Sequence, residues 1–139
     1  MKNFMDVISF DIISNQISEL KPFIQEADCI TIHIPKSHEN ISFIDEEKLS
    51  WMKNNAALIN TARGPIVDEN ALYMELKSSR IKAAFDVYWQ EPYHGILKEF
   101  YPDRFYMTPH VASNCVEFSI ACRKNLDKLI TELAFKNKV

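Results

Sequence analysis

In the stretch INTARGPIVDENAL, residues 59–72, an arginine stands directly after an apolar run that reads as a buried strand. Four more chemically capable residues occupy the same place relative to other apolar runs. Asp11 follows VISF, His33 closes CITIHI together with Ile34, Asp86 follows AAF, and His110 follows FYM by way of Thr108 and Pro109. One arginine, two carboxylates and two histidines are the side-chain types that hold an anion and move protons. Taken singly, each has a plain structural reading: Asp11 as a turn cap, His33 as a hydrogen-bonded core histidine, Asp86 as a loop cap, His110 as a turn residue fixed by Pro109. Their convergence is what points to chemistry, because unrelated structural needs rarely aim five such groups at one rim.

The elements that must position them alternate. Strands are expected at DVISF (6–10), CITIHI (29–34), AALIN (56–60), IKAAFDV (81–87) and RFYMT (104–108). Between them lie helical patterns at 17–28, with Pro22 near the start, and at 45–53, with Asp45 as N-cap and Leu49 and Met52 on one face. A third, at 68–79, is capped by Asp68 and turns Leu72, Met74 and Leu76 inward. The carboxy-terminal stretch carries apolar residues at 122, 126, 129, 130 and 133, a helical stripe. Continuous apolar strands alternating with helices give an α/β protein with a parallel, Rossmann-like sheet and flanking helices. In such sheets ligands gather beyond the carboxyl ends of the strands, where the five groups stand.

Composition narrows the class. The 139 residues favour one domain, and 47% apolar with 25% charged residues is the balance of a globular protein. A net charge of −3 with interspersed signs lacks the basic footprint of a nucleic-acid binder, so no nucleic-acid partner is expected. No apolar run approaches the ~18 residues of a membrane span, and Met1 to Phe4 lead into no signal-peptide core. The three cysteines suggest reduced thiols in a cytoplasmic protein. No CxxC or HxxxH pairing suggests zinc. One figure is abnormal: the chain holds two glycines, Gly64 and Gly95, where ~7% of residues is usual. A glycine-rich phosphate loop is therefore missing from it.

The segment AALINTARGPIVDENALYMELKSSRIKAAFDVYWQEP (56–92), followed by MTPHVAS (107–113), closely resembles the cofactor domain of the D-2-hydroxyacid dehydrogenases. That family includes D-lactate, glycerate, formate and phosphoglycerate dehydrogenases, and the resemblance runs from about VISFD to the last helix. It implies an NAD-dependent oxidoreductase that moves a hydride between nicotinamide and a 2-hydroxy or 2-keto acid. By resemblance, His110 is the acid/base for the substrate oxygen. Glu91 hydrogen-bonds that imidazole and keeps it protonated for ketone reduction. Arg63 grips the substrate carboxylate with its planar fork, while Gly64 lets the chain turn away. Cofactor contacts carry over in the same way. Asp11 would bind the adenosine ribose hydroxyls and favour NAD over NADP. Ile34 and Pro35 would pack near adenine and ribose, with Asn40 close by. Thr61 and Ala62 would lie beside the nicotinamide ribose, Asp86 would meet the carboxamide, and Ser113 would flank the ring with His110.

The departures from the family pattern matter as much. The family's GxGxxG turn precedes the ribose-binding acid by ~20 residues, yet ten residues precede Asp11 and none is glycine. Residues 1–139 thus read as a truncated dinucleotide-binding domain with a carboxy-terminal helix, without the first strand, the pyrophosphate loop or a substrate domain. Two arrangements of the remaining strands are expected: CITIHI paired with DVISF apart from the other three, or DVISF paired directly with AALIN. The open edges and the aromatic group Phe100, Tyr101, Phe105 and Tyr106 imply a homo-oligomer or a complementing amino-terminal fragment. Weak NAD binding and inactivity of the isolated chain follow, with a non-catalytic remnant, an interaction subunit or half of a split enzyme as alternatives.

Overall fold

The computed structural model describes residues 5–11, 14–117, 119–120 and 122–126. Four parallel strands form one sheet in the order of the sequence: β1 (Cys29–Ile32), β2 (Ala57–Asn60), β3 (Lys82–Phe85) and β4 (Phe105–Met107). The registers Thr31↔Ile59, Ile59↔Ala84 and Ala84↔Tyr106 align the carboxyl ends of the strands along one rim. α1 (Leu20–Glu26) leads into β1, α2 (Glu46–Ser50) joins β1 to β2, and α3 (Glu69–Lys77) joins β2 to β3. No helix among the described residues is long and apolar enough to cross a membrane.

The helix starts follow from local chemistry. The Asp45 carboxylate accepts from Lys48 N at 2.9 Å, and that of Asp68 from Ala71 N at 2.8 Å, each satisfying an otherwise orphaned donor of a first turn. Inside, α1 buries Leu20 and Ile24, one turn apart, and α3 buries Leu72 and Leu76. Each such leucine contributes about 1.5–3 kcal/mol of burial. Arg80 closes the far end of α2. Its guanidinium donates to the carbonyls of Leu49 and Met52 while pairing with Glu75 Oε2 at 2.6 Å. The expectation for Met74 fails, because it is 62% exposed on the outer face of α3.

DVISF is the larger correction. Residues 6–10 form no strand, and Val7 is 87% and Ile8 59% exposed. Only Phe10 is anchored, its ring edge-on to Phe23 of α1 at 5.4 Å. The pairing expected between CITIHI and DVISF, or between DVISF and AALIN, does not occur. Instead β1 pairs with β2 directly. An isolated extended segment with no neighbour for its backbone donors gains nothing from becoming a strand. The gap therefore falls at the β1 edge, where Cys29 and Thr31 are exposed, and the sheet stays continuous. Among the described residues, four strands and not five supply the rim.

At the other end of the chain, 116–117, 119–120 and 122–126 are helical and exposed, including Val116, Ile120 and Leu126. The expected positions 129, 130 and 133 lie outside the described residues. The aromatic group divides. Phe100 and Phe105 belong to the core, whereas Tyr101 and Tyr106 are exposed with ring centroids 6.4 Å apart.

Candidate active site

Two buried polar side chains, Asn60 and Asp86, end β2 and follow β3, and each builds a loop at the rim. The Asn60 amide accepts from Ala62 N at 3.0 Å and donates to Arg63 O at 2.9 Å. That closes the loop 61–63 and brings Arg63 out to solvent. The Arg63 guanidinium meets Ala62 O at 2.6 Å and is exposed. Gly64 then buries its backbone against the next loop. A Cβ there would lie 2.1 Å from Tyr88 C and 2.5 Å from Trp89 N. Its φ is not positive. The glycine thus serves close approach of two loops and not a turn, which corrects the sequence expectation. Trp89 Nε1 donates to Val67 O at 2.8 Å and fixes the same contact.

On the other side of the rim, Glu91 and His110 form a pair. His110 Nδ1 lies 2.8 Å from Glu91 Oε2 and 3.0 Å from Oε1. An ionised carboxylate only accepts, so Nδ1 carries the hydrogen and Nε2 of the exposed ring is left for another partner. Tyr88 N also donates to Glu91 Oε1, at 3.2 Å. The His110 contact holds the Glu91 carboxyl below its usual range; slight burial opposes this and the Tyr88 N–H assists.

Asp86 is 4% exposed. Its Oδ1 accepts from Thr108 Oγ1 at 2.6 Å and Val111 N at 2.9 Å, and its Oδ2 from Ala112 N at 2.8 Å. Burial pushes this carboxyl up, but the hydroxyl, the two N–H groups and the nearby His110 outweigh it and leave it lowered. The Tyr88 hydroxyl shares its hydrogen between Thr108 O at 2.7 Å and Phe85 O at 2.9 Å, tying the ends of β3 and β4. Burial, with the Asp86 carboxylate beside it, pushes that phenol up to about 12, so it stays a donor.

A cavity of about 500 Å³ opens where the β1 and β2 loops meet, lined by His33, Ile34, Pro35, Lys36, Ala62 and Arg63. Three basic side chains and no carboxylate line it, which suits an anionic ligand. The structure thus brings Ile34, Pro35, Ala62 and Arg63 together, pairs Glu91 with His110, and binds Asp86 to the loop that bears His110. His33 Nε2 is 2.9 Å from Thr31 Oγ1. Asn40 Nδ2 donates to Pro35 O at 2.8 Å, shaping the turn after β1. Thr61 and Ser113 are exposed on the loops after β2 and β4. Asp11 does not end a strand. It sits in a turn, its carbonyl accepting from Ser14 N and Asn15 N. Lys36, Asn60 and Thr108 were absent from the expected set of site residues. A polar residue closing the apolar run ALIN was the available sign for Asn60.

The model of the NAD-binding domain of D-isomer-specific 2-hydroxyacid dehydrogenases matches residues 5–112. The chain belongs to that family. Among its relatives in this family, a glyoxylate reductase of Thermofilum pendens is 41% identical over 106 residues, 73% of this chain and 30% of the reductase. A D-isomer-specific 2-hydroxyacid dehydrogenase from Xanthobacter autotrophicus, solved with NADPH and MES, superposes with a TM-score of 0.63 at 32% identity, over 69% of this chain and 32% of that one. An NAD-dependent formate dehydrogenase from Staphylococcus aureus, solved with NAD, superposes with a TM-score of 0.64 at 29% identity, over 81% and 34%. The chain thus spans about a third of the length of these family members.

Proposed function

We propose that these 139 residues are the carboxy-terminal catalytic portion of an NAD-dependent D-2-hydroxyacid dehydrogenase, with a small 2-keto or 2-hydroxy acid as substrate. The observation that carries this reading is the Glu91–His110 pair, 2.8 Å apart through Nδ1, on an exposed histidine. His110 Nε2 holds the proton that passes to the keto oxygen on reduction and takes it back on oxidation. Glu91 stabilises the imidazolium through Nδ1. Arg63, held at the cavity mouth by Asn60, grips the substrate carboxylate. When bound, the nicotinamide supplies or accepts the hydride.

The residues present fit one part of the cofactor. Ile34, Pro35, Thr61 and Ala62 would lie against its ribose and adenine segments, with Asn40 behind Pro35 and Ser113 near the ring. Asp86 Oδ2, which accepts one bond here, has capacity for a carboxamide N–H. Asp11 would take the adenosine ribose hydroxyls, and its charge favours NAD over NADP. A pyrophosphate cradle is a different matter. The surroundings of Gly64 are the Tyr88–Trp89 backbone, and those of Gly95 are Glu69 and Tyr93. Both glycines are thus spent on internal packing, so the phosphates would need backbone from outside these residues. The chain then works as part of a longer protein or beside a complementing amino-terminal fragment.

The test joins residues 5–139 to the amino-terminal portion of the Thermofilum reductase. The chimaera is assayed with NADH and glyoxylate, pyruvate or hydroxypyruvate. Reduction by the chimaera and not by the 139-residue chain supports the proposal. A folded, NADH-binding chimaera that reduces none of them makes the chain a non-catalytic interaction module.

A further inference from the structure

His110 adopts φ 56°, in the left-handed region that residues other than glycine rarely enter. Such a backbone persists where the surroundings over-determine it. Here they do so from both sides. Thr108 Oγ1, two residues before, and the N–H groups of Val111 and Ala112, one and two residues after, all donate to the Asp86 carboxylate. His110 N itself turns back onto Thr108 O at 3.0 Å.

We propose that Asp86 is the positioning residue for His110: its buried carboxylate clamps the loop on both sides of the imidazole and so sets the direction of Nε2. The proposal rests on the reading of His110 as the acid/base, and adds a role for Asp86 that a contact to the cofactor does not require. The residue type at this position follows from the partners. All three partners donate, and a carboxylate only accepts. At Asn60, the other buried polar side chain among the described residues, one partner donates and one accepts, and the side chain is an amide. An asparagine at 86 would keep the volume but turn an N–H against the N–H of Val111 or Ala112, so that one of these part-buried bonds is lost and the buried amide loses a partner. The loop would then be free to leave the left-handed turn, and the imidazole to leave Glu91.

The ionisable groups facing the imidazole are Glu91 and Asp86. The test reads the ring nitrogens of the full 139-residue chain by ¹⁵N NMR at pH 8.5, an alkaline value chosen so that histidines of ordinary acidity (~6.5) are neutral. Four histidines are present. The parent shows His110 hydrogen on Nδ1, and Glu91→Gln is the control that weakens this preference directly. In Asp86→Asn the Nδ1-hydrogen form is lost in favour of the Nε2-hydrogen form common for free histidine, while the other three rings are unchanged. Thr108→Val, which removes one of three donors, gives a partial loss and decides the matter where Asp86→Asn does not fold. If both folded variants keep the parent His110 tautomer while melting earlier, Asp86 is merely structural and the proposal fails. This readout needs no turnover, so an inactive chimaera overturns the function without touching the clamp.

Discussion

Glu91 Oε2 stands 2.8 Å from His110 Nδ1, a contact between residues 19 apart that joins the loop after β3 to the loop after β4. The first pH prediction comes from this pair. The folded state lowers the Glu91 carboxyl, chiefly through His110. A group lowered on folding contributes stability above its unfolded value, here its ordinary 4.5, and loses it as pH falls through the folded value. Thermal melts from pH 7 to pH 3 are expected to drop below about pH 4.5, with a shallower fall in Glu91→Gln. Equal slopes for the two proteins would contradict the coupling. Both side chains are roughly two-fifths exposed, so the effect is modest.

Arg80 and Lys53 separate a buried polar contact from a surface one. Arg80 serves two helix-end carbonyls and Glu75 from a partly buried position. Arg80→Met is expected to cost about 2–3 kcal/mol in urea unfolding, because carbonyls at the end of α2 lose charged donors. Lys53 pairs with the largely exposed Asp28 at 2.8 Å. Lys53→Ala is expected to cost about 0–1 kcal/mol.

The two glycines make a second comparison. Gly64→Ala sets a methyl against the Tyr88 and Trp89 backbone, which cannot swing aside, and is expected to cost about 3 kcal/mol. The atoms that Gly95→Ala would meet are side-chain atoms, Glu69 Oε1 and the Tyr93 ring. A cost of about 1 kcal/mol is expected there, since the Glu69 carboxylate can shift. Equal costs would mean that the two loops are not locked at Gly64.

Much of this was legible in the residues, and the misses have physical causes. Asp45 and Asp68 announced their helices because an N-cap is a local bargain between one side chain and a nearby N–H. The strands of the sheet were readable from continuous apolar runs. DVISF had the same pattern yet forms no strand, because pairing depends on a neighbour and not on propensity. The Glu91–His110 contact was implied by the family resemblance and is formed. Asp86 was assigned to a cofactor contact, while its link to Thr108, Val111 and Ala112 spans 22 to 26 residues and could not be read from spacing. Gly64 illustrates the same limit. The need for glycine comes from a backbone two dozen residues on.

The open edge of β1 and the exposed Val7 and Ile8 lead to a prediction about association. Light scattering of the 139-residue chain at micromolar concentration is expected to give a dimer or larger. Thr31→Pro, which introduces a residue without an N–H into the edge strand, is expected to shift it towards monomer if that edge carries the contact. A monodisperse parent monomer would contradict association.

The phosphate question has a direct binding prediction. Each charge-assisted hydrogen bond to phosphate contributes roughly 1.5–3 kcal/mol. Losing two or three leaves an NADH Kd of about 1 mM or weaker for the 139-residue chain. Fluorescence titration checks this, and low-micromolar binding would contradict it.

The most direct test of the catalytic reading is the rate of glyoxylate reduction by the chimaera carrying His110→Asn. Proton transfer by a positioned side chain contributes about 10²–10⁴-fold. A fall in kcat of that size is predicted, with NADH affinity and KM for glyoxylate little changed. A His110→Asn chimaera that turns over as fast as its active parent would contradict the assignment of the acid/base to this residue.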